Sequence, residues 1–328
     1  MSSARFAVTE VKMRTIGIAG TGMIGTALAV LCTGHGMRTL VYARSEASAQ
    51  RCRQQYRAYF DDLVAHGVMT EQQAACCESY LAFVDAPEGL ADCEAVFEAI
   101  AEKVELKREL FARLEASCPK LQAICSASSS IEPDEMAQGL DSCAQKVLVT
   151  HPFNPAHMVP YMEICTGSRT SPACLAYVRE LLDELDRKAV VLKKSTPGFI
   201  GNRLQFALLR EAIRLVEEGV ADPEDIDTCL AYSFCGRYTS IGLFEHFDNG
   251  GLQLCSAVCD NLFPILSDEK ESPKLLKDHM AAGEMGVRSG QGFLSWKDVD
   301  MQDFRERMGA PFWKFCAWSF PEKPLGER

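Results

Sequence analysis

The sequence predicts an α/β fold in which a doubly wound, mostly parallel sheet is followed by an all-α C-terminal domain. Short apolar runs alternate with segments of helical length from residue 15 to residue 192, as in successive β-α-β units. After Pro197 the strand-like runs stop and long helical segments follow. A glycine-rich turn after the first apolar run indicates which kind of doubly wound domain this is.

The first predicted β-α-β unit occupies about 30 residues. Residues 15–19 form a short apolar run that predicts a buried strand, and residues 23–31 have the length and composition of a helix. A second strand is predicted over 39–42. Residues 1–12 show no such pattern and are predicted to be a loose tail.

The same alternation continues to the end of the predicted sheet. We expect a helix over 46–78, broken at Gly67, and a further helix over 105–117. The remaining strands are predicted over 95–100, 122–125, 147–149, 159–165 and 189–192.

The C-terminal part of the chain is predicted to be helical. One long helix covers 198–218, and Gly219 follows it at a position that favours glycine. Asp222 and Pro223 begin the next helix as its N-cap and its first residue.

The length and charge of the chain limit its organisation and its partners. A chain of 328 residues is long enough for two domains, which we place at 1–195 and 196–328. The apolar content of the second domain favours a homodimer. The net charge of −11 argues against nucleic acid or an anionic membrane as the main partner. No apolar run approaches the roughly 20 residues of a membrane span.

The 15 cysteines form no metal-binding or disulfide pattern. Their number is odd, paired C-x-x-C units are absent, and no secretory signal is seen. We interpret them as reduced, mostly small apolar side chains of a cytoplasmic protein, and we predict no metal site.

The glycine-rich turn predicts a dinucleotide site of the Rossmann type. Gly20, Gly22 and Gly25 form the pattern G-x-G-x-x-G between the first strand and the first helix. Glycines permit a tight turn, so that a pyrophosphate can approach the start of the helix at Met23 and Ile24. A structural turn is the alternative interpretation, but the β-α-β setting favours a nicotinamide or flavin dinucleotide.

The residues after the second predicted strand bear on the choice between NAD and NADP. A carboxylate usually holds the ribose 2′-hydroxyl of NAD at this point, but the sequence has Ala43, Arg44 and Ser45. An arginine binds a 2′-phosphate, which a carboxylate would repel. We therefore expect NADP to be accepted and preferred. The alternative is that Arg44 stacks on the adenine and that NAD is used.

A histidine and a carboxylate follow the strand at 147–149. His151 precedes Glu163 by twelve positions, with Asn154 between two prolines. A carboxylate can orient a histidine ring that transfers a proton near neutral pH, so the two residues form a candidate catalytic pair. The prolines stiffen the backbone, and a rigid structural turn is the alternative interpretation.

Together these motifs resemble the 3-hydroxyacyl-CoA dehydrogenase family, whose relatives include lambda-crystallin/L-gulonate 3-dehydrogenase and L-carnitine dehydrogenase. The resemblance runs from residue 15 to about residue 296, and this set of motifs in this order is highly specific. The matching segments are 20–25, 97–102 with Lys107, 126–130, 151–163, 196–204 and 289–293.

The resemblance implies a reversible, NAD(P)-dependent oxidation of the 3-hydroxyl of an L-3-hydroxyacyl-CoA or a related 3-hydroxy acid. His151 matches the general base of the family and Glu163 its orienting carboxylate. Ser129 matches the residue that hydrogen-bonds the reacting oxygen, and Asn202 a second polar contact to substrate. The implied cofactor contacts are Glu102, Lys107, Ser129, Asn154 and Arg288, the last in place of a lysine.

Simpler interpretations exist for several of these residues. Glu163 could be an ordinary salt-bridge residue, and Asn202 could bond the backbone at the start of its helix. The serines that neighbour Ser129, at 126, 128 and 130, could take its role or simply turn the chain. His157 is predicted to be surface-exposed or structural.

One segment departs from the family pattern. Members that use CoA usually have lysines in the helical arm after the second strand, but residues 59–68 contain Asp61 and Asp62 and no lysine. Negative charge disfavours a polyanionic nucleotide tail, so the arm favours a free hydroxy acid of the gulonate or carnitine type, while a CoA ester stays open. A catalytically silent, crystallin-like protein is the alternative of another class, and the intact set of site residues argues against it.

Overall fold

The computed structural model of the protein describes residues 13–327, and the tail predicted for residues 1–12 lies outside them. Its strands form one sheet of eight members, in the order β3-β2-β1-β4-β5-β6-β7-β8. The strands are β1 (Thr15–Ala19), β2 (Arg38–Tyr42), β3 (Leu81–Val84), β4 (Ala95–Glu98), β5 (Ala123–Ser126), β6 (Val147–Pro152), β7 (Tyr161–Thr166) and β8 (Lys188–Val191).

Helices connect these strands and also follow the last strand along the chain. Those in the sheet-containing part are α1 (Met23–Gly34), α2 (Glu46–Ala65), α3 (Glu71–Glu78), α4 (Val104–Ser117), α5 (Pro133–Met136) and α6 (Pro172–Glu184). They are followed by α7 (Gly201–Glu217), α8 (Pro223–Tyr232), α9 (Phe234–Arg237), α10 (Leu243–Gly250), α11 (Leu252–Leu262), α12 (Lys274–Ala281) and α13 (Met301–Gly309).

The sheet confirms the predicted doubly wound, mostly parallel architecture. Every strand pair is parallel except β6 and β7, which run antiparallel. The order reverses between β1 and β4, and at such a switch point the loops at the carboxyl ends of the strands separate and leave a crevice. The strand β3 was not predicted, because a run of four apolar residues is too short to distinguish a strand from a helix.

The core lies on both faces of this sheet. Alternate residues of β4 belong to different apolar clusters, with Phe97 in one and Val96 in the other. The first cluster includes Leu28 of α1, and the second includes Phe111 of α4, so a helix layer covers each face. Each of these side chains is 0–1% exposed, and burial of one contributes about 1.5–3 kcal/mol.

The described chain divides into two compact units. The first extends to Phe199 and also includes the segment from Glu306 onward, whereas the second is Ile200–Arg305. The C-terminal segment joins the first unit because Trp318 and Phe320 are buried in its apolar core. This differs from the predicted domain of 196–328, since helical pattern alone does not show which core a terminal segment packs on.

The second unit is helical, as predicted for the C-terminal domain, and presents much apolar surface. Leu204 and Phe206 of α7 are 60% and 63% exposed, and Phe244 of α10 is 82% exposed. Across residues 13–327, no helix is both long and apolar enough to cross a membrane. Most of the cysteines are buried as free thiols, which fits their interpretation as small apolar side chains.

Candidate active site

The glycine-rich turn forms a cradle at the carboxyl end of β1. Gly20 has φ +130°, and a Cβ atom there would lie 2.4 Å from the carbonyl oxygen of Ala99. A Cβ on Gly25 would lie 2.2 Å from the carbonyl oxygen of Gly20. Both positions therefore require glycine, because a side chain would push β1, α1 and the loop after β4 apart.

The second glycine of the motif, Gly22, faces open space. Gly22 is the N-cap of α1, and nothing lies within 4 Å of the position that its Cβ would occupy. No side chain caps this helix, and no acidic residue lies in its first turn, which begins with Met23 and Ile24. The free N–H groups and the positive end of the helix dipole fit the diphosphate of a dinucleotide.

A cleft of about 410 Å³ adjoins the cradle. It is lined by Gly20 and Gly22 together with Tyr42 and Arg44 from the end of β2. Ala43 between them is 4% exposed and faces the core. The cleft thus lies where the adenosine half of the dinucleotide belongs, and Arg44, two residues after β2, is one of the charged residues on its wall, with Glu109 and Arg113.

Ser45 has a local structural role. Its side chain accepts a hydrogen bond from the backbone N–H of Ser48 at 3.2 Å and caps α2 in a capping box. The cofactor contact predicted for Ser45 is therefore not needed to explain the residue, whereas Arg44 has no such local role.

The predicted catalytic pair lies on β6 and β7, the sixth and seventh strands in the order of the sheet. In the antiparallel register of β6 and β7, His151 is directly opposite Glu163. The ring Nδ1 of His151 lies 2.9 Å from Glu163 Oε2, and the two side chains are 9% and 0% exposed. A buried carboxylate in this position fixes the ring and leaves Nε2 to accept a proton from a substrate.

Aromatic residues complete the setting of this pair. The Tyr161 hydroxyl donates to the other oxygen of Glu163, Oε1, at 3.3 Å. Burial, with the nearby charge of Glu163, raises the pKa of Tyr161 to about 12, so the phenol remains a neutral donor. Phe153 and Phe199 place their rings 5.2 and 5.3 Å from that of His151.

The serines of the loop after β5 differ in their hydrogen bonds. Ser126 donates to Glu98 at 2.5 Å, and both Ser128 and Ser130 donate to Glu102. Within residues 13–327 the exposed side chain of Ser129 makes no hydrogen bond, so it is the member of the group available to a ligand. Because β4, β5 and β6 are parallel, this loop lies beside the carboxyl end of β6, close to His151 in the order of the sheet.

A buried ion-pair network lies next to the serine loop, at the carboxyl ends of β4 and β5. Lys107 Nζ lies 2.7 Å from Glu98 and 3.0 Å from Glu102, and Lys107 itself is 1% exposed. The ammonium of Lys107 is enclosed by two carboxylates, and the cofactor contact implied for it stays a prediction. Through this ion pair, Lys107 holds the carboxylate of Glu102 in place.

Glu102 stays ionised and partly exposed. Burial opposes its charge, but the hydrogen bond from Ser128 and the charge of Lys107 outweigh that effect and lower its pKa. It therefore remains a candidate for cofactor contact.

The other predicted residues lie in different environments. Asn154 is exposed and precedes a cis peptide bond to Pro155. His157 is 2% exposed, which rules out the surface position and leaves the structural one. In the second unit, Asn202 lies in the first turn of α7 and Arg288 is exposed. Contacts of Asn154, Asn202 and Arg288 with ligands stay predictions.

Sequence reasoning missed two groups that the structure places at the site. Tyr161 could have been found, because it lies two residues before Glu163 and the side chains of a strand alternate. Ser126 was considered only as an alternative to Ser129 or as a turn residue, and its bond to Glu98 depends on the register of β4 and β5.

A glycine cradle at a helix N-terminus, together with a buried histidine–carboxylate pair at the same sheet edge, is typical of dehydrogenases that use a nicotinamide dinucleotide. Residues 15–196 match the NAD binding domain of 3-hydroxyacyl-CoA dehydrogenase, and residues 198–296 match its C-terminal domain. The chain therefore belongs to the 3-hydroxyacyl-CoA dehydrogenase family, which confirms the resemblance seen in its sequence.

Individual relatives differ in their substrates. The chain is 28% identical over 284 residues to 5-formyl-3-hydroxy-2-methylpyridine 4-carboxylate 5-dehydrogenase of Mesorhizobium japonicum, with 87% of this chain and 91% of the relative covered. It is 29% identical over 265 residues to lambda-crystallin of Oryctolagus cuniculus, with 78% and 82% covered.

Solved structures that resemble this chain also include enzymes named for different substrates. The crystal structure of a 5-formyl-3-hydroxy-2-methylpyridine 4-carboxylic acid 5-dehydrogenase, described as NAD+ dependent, superposes with a TM-score of 0.82 at 26% identity, covering 92% of this chain and 97% of that one. The structure of (S)-3-hydroxybutyryl-CoA dehydrogenase from Ralstonia eutropha superposes with a TM-score of 0.70 at 28% identity, covering 87% and 99%.

Proposed function

We propose that this enzyme reversibly oxidises the 3-hydroxyl of an L-3-hydroxyacyl-CoA or a related 3-hydroxy acid to the keto product. The observation that carries the proposal is the buried contact between His151 and Glu163. Oxidation of an alcohol requires a base for the hydroxyl proton, and a histidine held by a buried carboxylate supplies it. The glycine cradle at Gly20 and Gly22 supports binding of the dinucleotide on the same sheet edge.

The roles of the individual side chains follow from their positions. His151 takes the hydroxyl proton on Nε2, while Glu163 holds Nδ1 and stabilises the imidazolium that forms. Ser129 donates to the reacting oxygen, and Asn202 is the second polar contact to substrate that the family pattern implies. The nicotinamide dinucleotide, when bound, supplies the hydride acceptor.

The experiment that tests the proposal is a cofactor-reduction screen with both coenzymes. Its substrates are 3-hydroxybutyryl-CoA, free 3-hydroxybutyrate, gulonate and carnitine. We expect reduction of the coenzyme with one or more of the four. An enzyme that binds the dinucleotide yet oxidises none of them contradicts the proposal and favours the crystallin-like alternative.

We also propose that the enzyme accepts NADP and prefers it to NAD. Arg44 lies on the wall of the cleft next to the cradle, where a 2′-phosphate would meet its guanidinium. The family match supports NAD binding, and the alternative in which Arg44 stacks on the adenine fits that simpler case.

The cofactor preference predicts the behaviour of Arg44→Ala. This variant should raise the Michaelis constant for NADP about tenfold or more and leave that for NAD nearly unchanged, because a charge-assisted hydrogen bond contributes about 1.5–3 kcal/mol. Arg51→Ala, which removes an exposed arginine from α2, is the matched control. A hundredfold preference of the wild-type enzyme for NAD would contradict the proposed preference for NADP.

For its assembly and location, we propose a homodimer in the cytoplasm. The exposed apolar residues of α7 and α10 support burial against a second copy of the chain. The buried free thiols support a reducing compartment.

A further inference from the structure

The C-terminal segment lies beyond the part of the chain that the family models match. The match ends at residue 296, whereas residues from Glu306 onward belong to the first unit. The 3-hydroxybutyryl-CoA dehydrogenase structure is covered over 99% of its length by 87% of this chain, so almost none of it remains to correspond to this segment. We call residues 306–327 the strap.

Trp313 of the strap lies between the end of α2 and the loop at 153–160. Its ring stacks on that of His66, with centroids 3.9 Å apart and an interplanar angle of 19°. A Cβ added to Gly309 would lie 3.2 Å from Trp313 and 3.3 Å from Met158, so these three residues pack together. The strap therefore closes the space between the helical arm and this loop.

The loop at 153–160 begins directly after the strand that carries His151. It is buried between the arm and the strap: Met158 is 4% exposed, and the ring of His157 lies 4.3 Å from that of Tyr59 in α2. On the strap side, Cys316 is fully buried with its Sγ 4.0 Å from the carbonyl oxygen of His157. The strap and the arm thus form a wall next to the catalytic strand.

The strap is anchored along the rest of its length. Trp318 packs against Gly34, where an added Cβ would lie 2.7 Å from its ring. The Tyr80 hydroxyl donates to the carbonyl oxygen of Lys323 at 3.0 Å, and the backbone N–H of Leu325 donates to Ser79 at 2.9 Å. These contacts hold the strap against the first unit from Trp318 to its C-terminal end.

The side of this wall formed by α2 carries two carboxylates. Asp61 and Asp62 lie near the end of α2, and residues 59–68 contain no lysine or arginine. A CoA ester has a long tail with several phosphates, whereas a free hydroxy acid ends at its carboxylate. The wall and the carboxylates therefore oppose an extended polyanionic substrate much more than a compact one.

We infer that the strap is a specificity element that restricts this dehydrogenase to compact 3-hydroxy acids without CoA. The inference rests on the proposed function, and it selects one of the two substrate classes that the function leaves open. It agrees with the comparisons, since the relative named for a small pyridine carboxylate superposes with a TM-score of 0.82 and the CoA enzyme with 0.70.

The test compares kcat/KM for free hydroxy acids and for 3-hydroxybutyryl-CoA in full-length variants. The wild-type enzyme should prefer a free acid. Trp313→Ala and His66→Ala each remove one ring of the stack, and each should raise kcat/KM for the CoA ester about tenfold through KM. The value for the preferred free acid should stay within about twofold. His66 is exposed, so its variant disturbs the stack without emptying the core.

Trp318→Ala is the matched control, because it removes an equally large ring from the strap where the strap packs against Gly34 of α1. It should lower stability and leave the ratio of the two kcat/KM values unchanged. The inference is overturned if the wild-type enzyme uses the CoA ester as well as any free acid. It is equally overturned if neither Trp313→Ala nor His66→Ala changes the ratio. Oxidation of no substrate at all would instead overturn the proposed function, and the inference with it.

Discussion

His151 and Glu163 show how much of a catalytic site depends on strand register. The sequence places them twelve positions apart, and that spacing is compatible with many geometries. The antiparallel pairing of β6 and β7 places them directly opposite each other, so their side chains meet on one face of the sheet. Residue types could therefore predict the chemistry, but the contact itself depends on a turn that residue types do not specify.

The serine cluster and Lys107 show the same limit at single positions. Motif similarity pointed to Ser129 but left its neighbours as alternatives, and the structure shows that those neighbours are bonded to Glu98 and Glu102. The motif also assigned Lys107 to the cofactor. Its burial between two carboxylates depends on how α4 packs on β4, which local sequence does not determine.

Lys107 gives a stability prediction. Lys107→Met would leave the fully buried carboxylate of Glu98 without its cation, and the free energy of unfolding should fall by about 3–5 kcal/mol. Urea unfolding measures the loss. Lys120→Met is the control, since its ion pair with Asp92 is 61% exposed on both sides and should contribute little to stability. Equal losses in the two variants would contradict the buried network.

At the scale of elements, the turn between β1 and α1 carries the candidate cofactor site. Gly20 and Gly22 are glycine for two different structural reasons, and the G-x-G-x-x-G pattern alone does not distinguish these reasons. Gly20 has a backbone conformation and a neighbour that exclude a side chain, whereas Gly22 faces open space at the helix N-terminus. The first glycine serves the fold and the second leaves room for a ligand.

These two glycines predict different defects. Gly20→Ala should destabilise the first unit, because its Cβ would meet the carbonyl of Ala99 at 2.4 Å. Gly22→Ala should unfold at nearly the wild-type temperature and yet weaken dinucleotide binding about tenfold or more, because the added methyl occupies the approach of the diphosphate. Thermal unfolding and fluorescence titration measure the two effects. Wild-type affinity in Gly22→Ala would contradict the placement of the diphosphate.

Most elements of the sheet could be predicted, because buried parallel strands form continuous apolar runs. The strand β3 could not, since it is short and only partly buried. The antiparallel direction of β7 also has no signature in the sequence, although the connection from β6 is short. Ser45 was interpreted as a cofactor contact, but its spacing to Ser48 is equally typical of a helix N-cap.

At the scale of the whole molecule, the chain is divided differently from the sequence prediction. The strap returns to the first unit through Trp318 and Phe320, and aromatic residues in a terminal segment do not show from sequence which core will receive them. The second unit buries few side chains of its own and leaves large apolar residues exposed. A partner surface is the simplest account of that exposure.

The proposed dimer can be tested directly by measuring the mass of the protein in solution. Sedimentation velocity at micromolar concentration should give twice the chain mass of 36.2 kDa. Phe206→Glu places a charge on the exposed face of α7 and should shift the equilibrium toward the single chain, whereas Arg51→Glu on α2 should not. A wild-type enzyme that sediments as a single chain across the concentration range would contradict the dimer.

The central claim is that His151 is the proton acceptor of a dehydrogenase. His151→Ala should lower kcat by about 10²–10⁴ while the dissociation constant of the dinucleotide stays nearly unchanged. His279→Ala is the matched control, because His279 also pairs through Nδ1 with a glutamate, Glu284, but belongs to the second unit. That variant should keep the wild-type kcat. Turnover of His151→Ala at the wild-type rate would contradict the account.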